Sequence, residues 1–89
     1  MNLKFEWDPR KATANVARHG VPFDEALTVF ADSLARIFDD EDHSVDEQRE
    51  IIVGHSARLR LLVVCLSIRE DTVPIFSARR ATKREQRDL

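Results

Sequence analysis

Five cations crowd the end of the chain: Arg79, Arg80, Lys83, Arg84 and Arg87, against only Glu85 and Asp88. They lie in and just after the run "IFSARRATKREQ" (75–86), which passes from apolar residues to Arg-Arg and then to Thr-x-x-Glu. Arginine offers a planar fork of donors that fits phosphate oxygens, and the N–H groups that open a helix favour a nearby anion. Arg79, Arg80 and a helix start at Thr82 therefore form a chemically sensible phosphate site. A basic strand-to-helix turn is equally an ordinary solvated surface, and composition leaves both readings open. Arg49 and Arg69 also stand at the ends of apolar runs, and in a four-stranded antiparallel meander such ends can meet on one rim. Adjacent residues of an extended chain face opposite ways, so one of Arg79 and Arg80 can face a substrate while the other meets a partner.

Other chemistries fare worse. His19, His43 and His55 are scattered, no His-x-x-x-His pair exists, and Cys65 is the only cysteine. That pattern offers no zinc site and no disulfide framework. His19 closes a helical segment, where a cation or cap is favoured, and acid–base work is the alternative. Cys65 sits in the most apolar run, which points to a buried, inert thiol. The acidic stretch "DDEDHS" (39–44) fails the EF-hand pattern: counted from Asp40 the sixth and twelfth residues are Val45 and Ile51, and counted from Asp39 the sixth is Ser44. It reads as a solvated loop. No nucleophile elbow and no phosphate-cradling glycine loop is present.

The elements that must position these residues follow from local pattern. The chain has 89 residues, 43% apolar and 34% charged, which suits one domain over 1–89 with a modest core. "LKFEW" (3–7) alternates as a short strand. Asp8-Pro9 starts a helix that Gly20 stops. Phe23, Ala26, Leu27 and Phe30 follow helical spacing over 22–31. Strands are expected over 34–38, 49–56, 59–68 and 72–77, the third apolar on both faces and hence central. Pro74 belongs at an edge or unpaired position. Thr82 and Glu85 form a capping box. The order is β-α-α-β-β-β-β-α, an α+β domain with a small antiparallel sheet. The run "LRLLVVCLSI" (59–68) is half the ~20 residues of a membrane span. No basic-then-apolar leader stands at the start, and a cytoplasmic place is expected. The net charge of −2 excludes a whole-surface nucleic-acid binder. Segment 39–50 holds seven acids against one arginine, a surface that suits a basic partner.

Three blocks then resemble one known family. "FEWDPRKATANVARHGVPFDEALTVF", "DEQREIIVG" and "IFSARRATKREQR" are similar, in that order, to the BrnT toxins of bacterial toxin–antitoxin pairs. The residues that carry the likeness are Trp7-Asp8, Lys11, Asn15, His19-Gly20, Phe23, Ala26, Arg49, Gly54, Ser77-Ala78-Arg79-Arg80-Ala81 and Arg84-Glu85. Those of the first helix also have local structural reasons, as caps and docking residues. The resemblance implies a RelE-like fold and a metal-independent, cofactor-free endoribonuclease that blocks translation. It also implies a ribbon-helix-helix antitoxin that neutralises the toxin and carries the DNA contacts of the complex. Arg49 and Arg79 would hold the scissile phosphate, with Arg69 as a further clamp. Lys83 or His19 would move a proton. Arg80, Ser77 and Arg84 would bind RNA or the partner. The alternative is a non-catalytic toxin-like module that pairs with the antitoxin in operon repression. Two features depart from the family: Pro74 stands where a basic residue is usual, which would weaken catalysis, and the common Tyr-Glu end is absent.

Overall fold

Asp8 accepts the Arg10 N–H at 2.8 Å, and Pro9 follows at the first helical position, so α1 (Pro9–His19) starts where local chemistry sets it. Gly20 ends the helix in the left-handed region (φ 70°), its N–H donating to Val16 O at 2.8 Å. The computed structural model describes residues 3–40 and 48–88. Before α1 runs β1 (Lys4–Glu6). After it come α2 (Phe23–Ala26), a 3₁₀ turn (Leu27–Ala31), β2 (Arg36–Asp40), β3 (Arg49–His55), β4 (Leu61–Leu66), β5 (Thr72–Arg80) and α3 (Lys83–Asp88). The architecture is α+β, and among the described residues no helix is long and apolar enough to cross a membrane.

The expected second helix over 22–31 is helical only to Ala26 and then tightens. Thr28 explains the change. Its hydroxyl donates to Glu25 O three residues back, at 2.6 Å, and accepts the Ala57 N–H at 2.8 Å. The strand expected over 34–38 lies instead at Arg36–Asp40, so Asp39 and Asp40 belong to the sheet and not to a loop. Residues 41–47, which carry most of the acidic run and the rejected metal pattern, lie outside the described residues.

The sheet order is β1-β5-β4-β3-β2. β2 to β5 form the expected antiparallel meander, and β4 is the middle strand of the five. The sheet as a whole is mixed, because β1 pairs parallel with β5 through Lys4–Thr72, Phe5–Val73 and Glu6–Pro74. The direction follows from α1, which begins three residues after β1 and must reach Ala78 of β5 with Asn15. β1 therefore runs toward that end of β5. As a result β5 is not an edge strand, and of the two positions expected for Pro74, an edge or an unpaired one, it takes the second with respect to β4. Pro74 is tolerated because it stands just past the last β4 pair, Leu66–Ile75, where its carbonyl still accepts the Ser67 N–H at 3.1 Å.

One face of the sheet is covered. Val21, Phe23, Ala26 and Val29 pack there on Ile52, Leu62, Val64, Leu66, Val73, Ile75 and Ala78. Trp7 meets Phe23 and Phe5 meets Phe30 edge to face, at 5.8 and 4.9 Å between ring centres. Gly54 lets β3 approach the 3₁₀ turn: a Cβ there would stand 2.8 Å from both Ala35 Cβ and Val29 Cγ1. Glu25, 6% exposed, ties the helices to the β3–β4 hairpin. It accepts from Arg60 through both carboxylate oxygens and from the Ser56 hydroxyl at 2.6 Å. These bonds, Arg60 first, hold its pKa below the ordinary carboxylate value against the opposing effect of burial.

Candidate active site

Among the described residues, no helix is laid across the middle of the other face of the sheet. Cross-strand pairing and the two-residue period place Phe38, Ile51, Cys65 and Ser77 in one row of that face. Arg36, Val53, Val63 and Arg79 form the next, and Asp40 stands opposite Arg49. This explains why β4 reads as apolar on both sides. Leu62, Val64 and Leu66 enter the core, while Leu61, Val63 and Cys65 stay half-exposed. A register shift at Cys65/Leu66 leaves Phe76 as the extra residue between Ser77 and Ile75. Its ring meets Arg49, whose Cζ lies 4.2 Å from the ring centre, and the Lys11 Nζ at 5.6 Å.

Two adjoining hollows result. One of about 420 Å³ is lined by Lys11, Asp40, Arg49, Ile51, Val63, Cys65, Phe76, Ser77 and Arg79. The other, about 660 Å³, shares Lys11, Phe76 and Ser77 and adds Ala14, Asn15, Ala17, Arg18 and His19. Asn15 fixes α1 beside them. Its amide donates to Ala78 O and Val21 O, both at 2.8 Å, and accepts the Ala78 N–H at 3.1 Å. A side chain thus completes the edge of β5 beyond the point where β1 stops.

Charge in the smaller hollow is partly committed. Arg79 gives both terminal nitrogens to Glu85, at 2.7 and 2.8 Å. Glu85 also accepts the Thr82 N–H at 2.8 Å, while its own N–H donates to the Thr82 hydroxyl at 3.1 Å. The capping box is therefore present, and it is joined to Arg79. With Arg79 first and the Thr82 N–H second, Glu85 is held down to about pH 2. An anion at this helix start, one of the two readings open in the sequence, meets a carboxylate already in place. Cys65 is only partly buried. Its thiol is pushed up to about 11, first by burial and then by the Asp40 carboxylate 3.6 Å away, so it stays protonated at neutral pH.

Comparison with known proteins gives this geometry a family. The model of the ribonuclease toxin BrnT, of type II toxin–antitoxin systems, matches residues 7–85. The chain belongs to the BrnT family. In fold it is similar to the BrnT ribonuclease toxin of Brucella abortus, known from a crystal structure at 1.1 Å resolution. The TM-score is 0.72 at 22% identity, over 92% of this chain and all of that one. No individual curated protein matches the chain. Membership of a type II system implies an antitoxin as partner.

Within this BrnT-family chain the sequence-derived residues separate. Arg49, Arg79 and Ser77 meet in the smaller hollow, and His19 lines the larger. Arg69 lies in the exposed β4–β5 turn, its N–H donating to Thr72 O at 2.9 Å. Thr72 and Arg79 are at opposite ends of β5, about 20 Å apart at the strand rise. Arg80, Lys83 and Arg84 are exposed and line neither hollow. Pro74 is buried and also lines neither. Lys11, named only for the family likeness, and Phe76 are lining residues to which sequence reasoning gave no role in the site. Lys11 shares a helix face with Asn15 and His19 at intervals of four, a visible pattern. Phe76 had no local mark, since its outward turn depends on the bulge.

Proposed function

We propose that this BrnT-family chain cleaves RNA in the open-face hollow without a metal ion, and so blocks translation until an antitoxin covers it. The observation that carries the reading is the meeting of Arg49, Arg79, Lys11 and Ser77 around one cavity. RNA brings its own nucleophile. The 2′-hydroxyl attacks the adjacent phosphorus, a phosphorane forms, and the 5′-oxygen leaves, giving a 2′,3′-cyclic phosphate or its hydrolysis product. The protein must orient the phosphate, stabilise the growing negative charge and move two protons. Arg49 and Arg79 take the charge, and His19 takes or gives a proton from the adjoining hollow. Arg80, Lys83, Arg84 and Arg69 lie outside and suit contacts along the RNA or to the partner. The partner is a ribbon-helix-helix antitoxin, and DNA is met only through the complex, in keeping with a net charge of −2. The setting is the cytoplasm, where translation occurs.

A second reading has its own support. Glu85 already holds the terminal nitrogens of Arg79, which suits a toxin-like module that binds the antitoxin without cutting RNA. The test is pulse-labelled protein synthesis in a bacterial host after induction of the chain alone, beside an Arg49→Ala, Arg79→Ala variant, with purified protein and RNA in excess EDTA. Collapse of synthesis and EDTA-resistant cleavage, both lost in the folded variant, are expected. Normal synthesis with folded native protein present, together with tight antitoxin binding, would instead establish the module.

A further inference from the structure

Phe76 differs from Phe38, the other open-face aromatic, in standing beside two cations at the wall of two hollows. Phe5, Phe30, Trp7 and Phe23 pair edge to face with one another. Phe76 has no ring partner among the described residues. The register shift carries it to the open side of the sheet, where it is half-buried and forms part of the wall of both hollows. Two cations lie against its ring, Arg49 at 4.2 Å and Lys11 at 5.6 Å from the centre. An apolar side chain would serve the core better on the other face. An aromatic ring with two cations beside it, at the junction of two cavities, instead matches what a single-stranded nucleic acid presents: a flat base, with its phosphate one nucleotide's span away.

We infer that Phe76 is a stacking platform for an unpaired base, with Arg49 and Lys11 receiving the phosphate beside that base. The inference rests on the ribonuclease reading and makes it narrower. The substrate class is single-stranded RNA, because a base within a duplex has no free face to offer. Phe76 is thus a binding residue that sets where the strand lies relative to Arg79. It needs no particular base, since every base has a π-face.

The test uses the full chain and two probes of equal length and charge: a 2′-O-methyl oligoadenylate, which cannot be cleaved by 2′-hydroxyl attack, and the corresponding abasic strand. Native protein is expected to bind the oligoadenylate about tenfold more tightly than the abasic strand. Phe76→Leu, which keeps an apolar residue at the bulge, abolishes that preference, and Phe76→Trp keeps it; unchanged thermal unfolding confirms that both are folded. A preference that survives in Phe76→Leu, or equal native affinity for the two strands, overturns the platform and leaves the ribonuclease reading standing. Failure of the native chain to bind or cut any RNA overturns both.

Discussion

Two arginine–glutamate pairs, one on each face of the sheet, use the same bidentate chemistry to different ends. Glu25 and Arg60 meet beside the core, with 5% of the Glu25 side chain exposed. Arg79 and Glu85 meet on the open face, where 40% and 38% of the side chains are exposed. A buried carboxylate that loses its cation, or the reverse, leaves an uncompensated charge, whereas an exposed pair is screened by water and salt. The first pair therefore fixes the helices to the β3–β4 hairpin. The second holds an arginine ready beside a cavity and is weak enough to exchange its partner.

The sharpest way to test that contrast is to remove function from one face and stability from the other. Arg49→Ala on the open face is expected to lower RNA cleavage by about 10²–10³-fold, the usual loss for one donor to developing charge. Single-turnover rates measure it, and a native rate in a folded variant would remove Arg49 from the site. On the covered face, Glu25→Ala should cost about 3 kcal/mol in denaturant unfolding, the low end of the range for breaking a buried pair, because Arg60 keeps some contact with water. Glu85→Ala should cost under ~1 kcal/mol in the same assay. Equal losses would end the distinction.

Gly54→Ala sharpens the account of the covered face, since the added methyl meets Ala35 and Val29 at 2.8 Å. Overpacking of this kind costs about 1–3 kcal/mol, and a melting temperature equal to the native one would show that the 3₁₀ turn yields freely. The smallest expected effect is in acid. Glu85 has its pKa lowered from 4.5 to about 2, so its pair contributes fully above pH 4.5 and the contribution fades as pH falls toward 2. Half-exposed, it is worth at most about 1 kcal/mol. Glu25 is shifted in the same direction, so Glu85→Gln and Glu25→Gln should each remove part of the acid sensitivity of unfolding, which denaturant titrations between about pH 2 and 5 measure.

Much of the fold was legible because its signals are short. Asp8-Pro9, Gly20 and Thr82-x-x-Glu85 act within a few residues of themselves, and each end lies where it was read. The apolar character of β4 on both faces placed that strand inside the sheet. What the sequence did not show shares a cause. The tightening at Leu27–Ala31 involves Thr28 meeting Ala57, the parallel β1 depends on where α1 docks, and the choice of an unpaired rather than an edge position for Pro74 depends on where β4 ends. Each is a contact across tens of residues. The candidate site shows the same division. Arg49, Arg79, Ser77 and His19 stood out by type and position, whereas Lys11 and Phe76 gained their roles from a helix and a bulge brought together by folding.

By itself, then, the amino-acid order determined the helix ends, the apolar periods, the supply of cations near the last strand and the likeness to BrnT toxins. Those depend on hydrogen bonds and periodicities that close within a turn or two of chain. Only the tertiary structure decided which cations meet. Sheet register set Arg49 against Phe76, the Asn15 amide seated α1 on β5 63 positions away, and Glu85 claimed Arg79. Such pairings exist only once distant segments share a face.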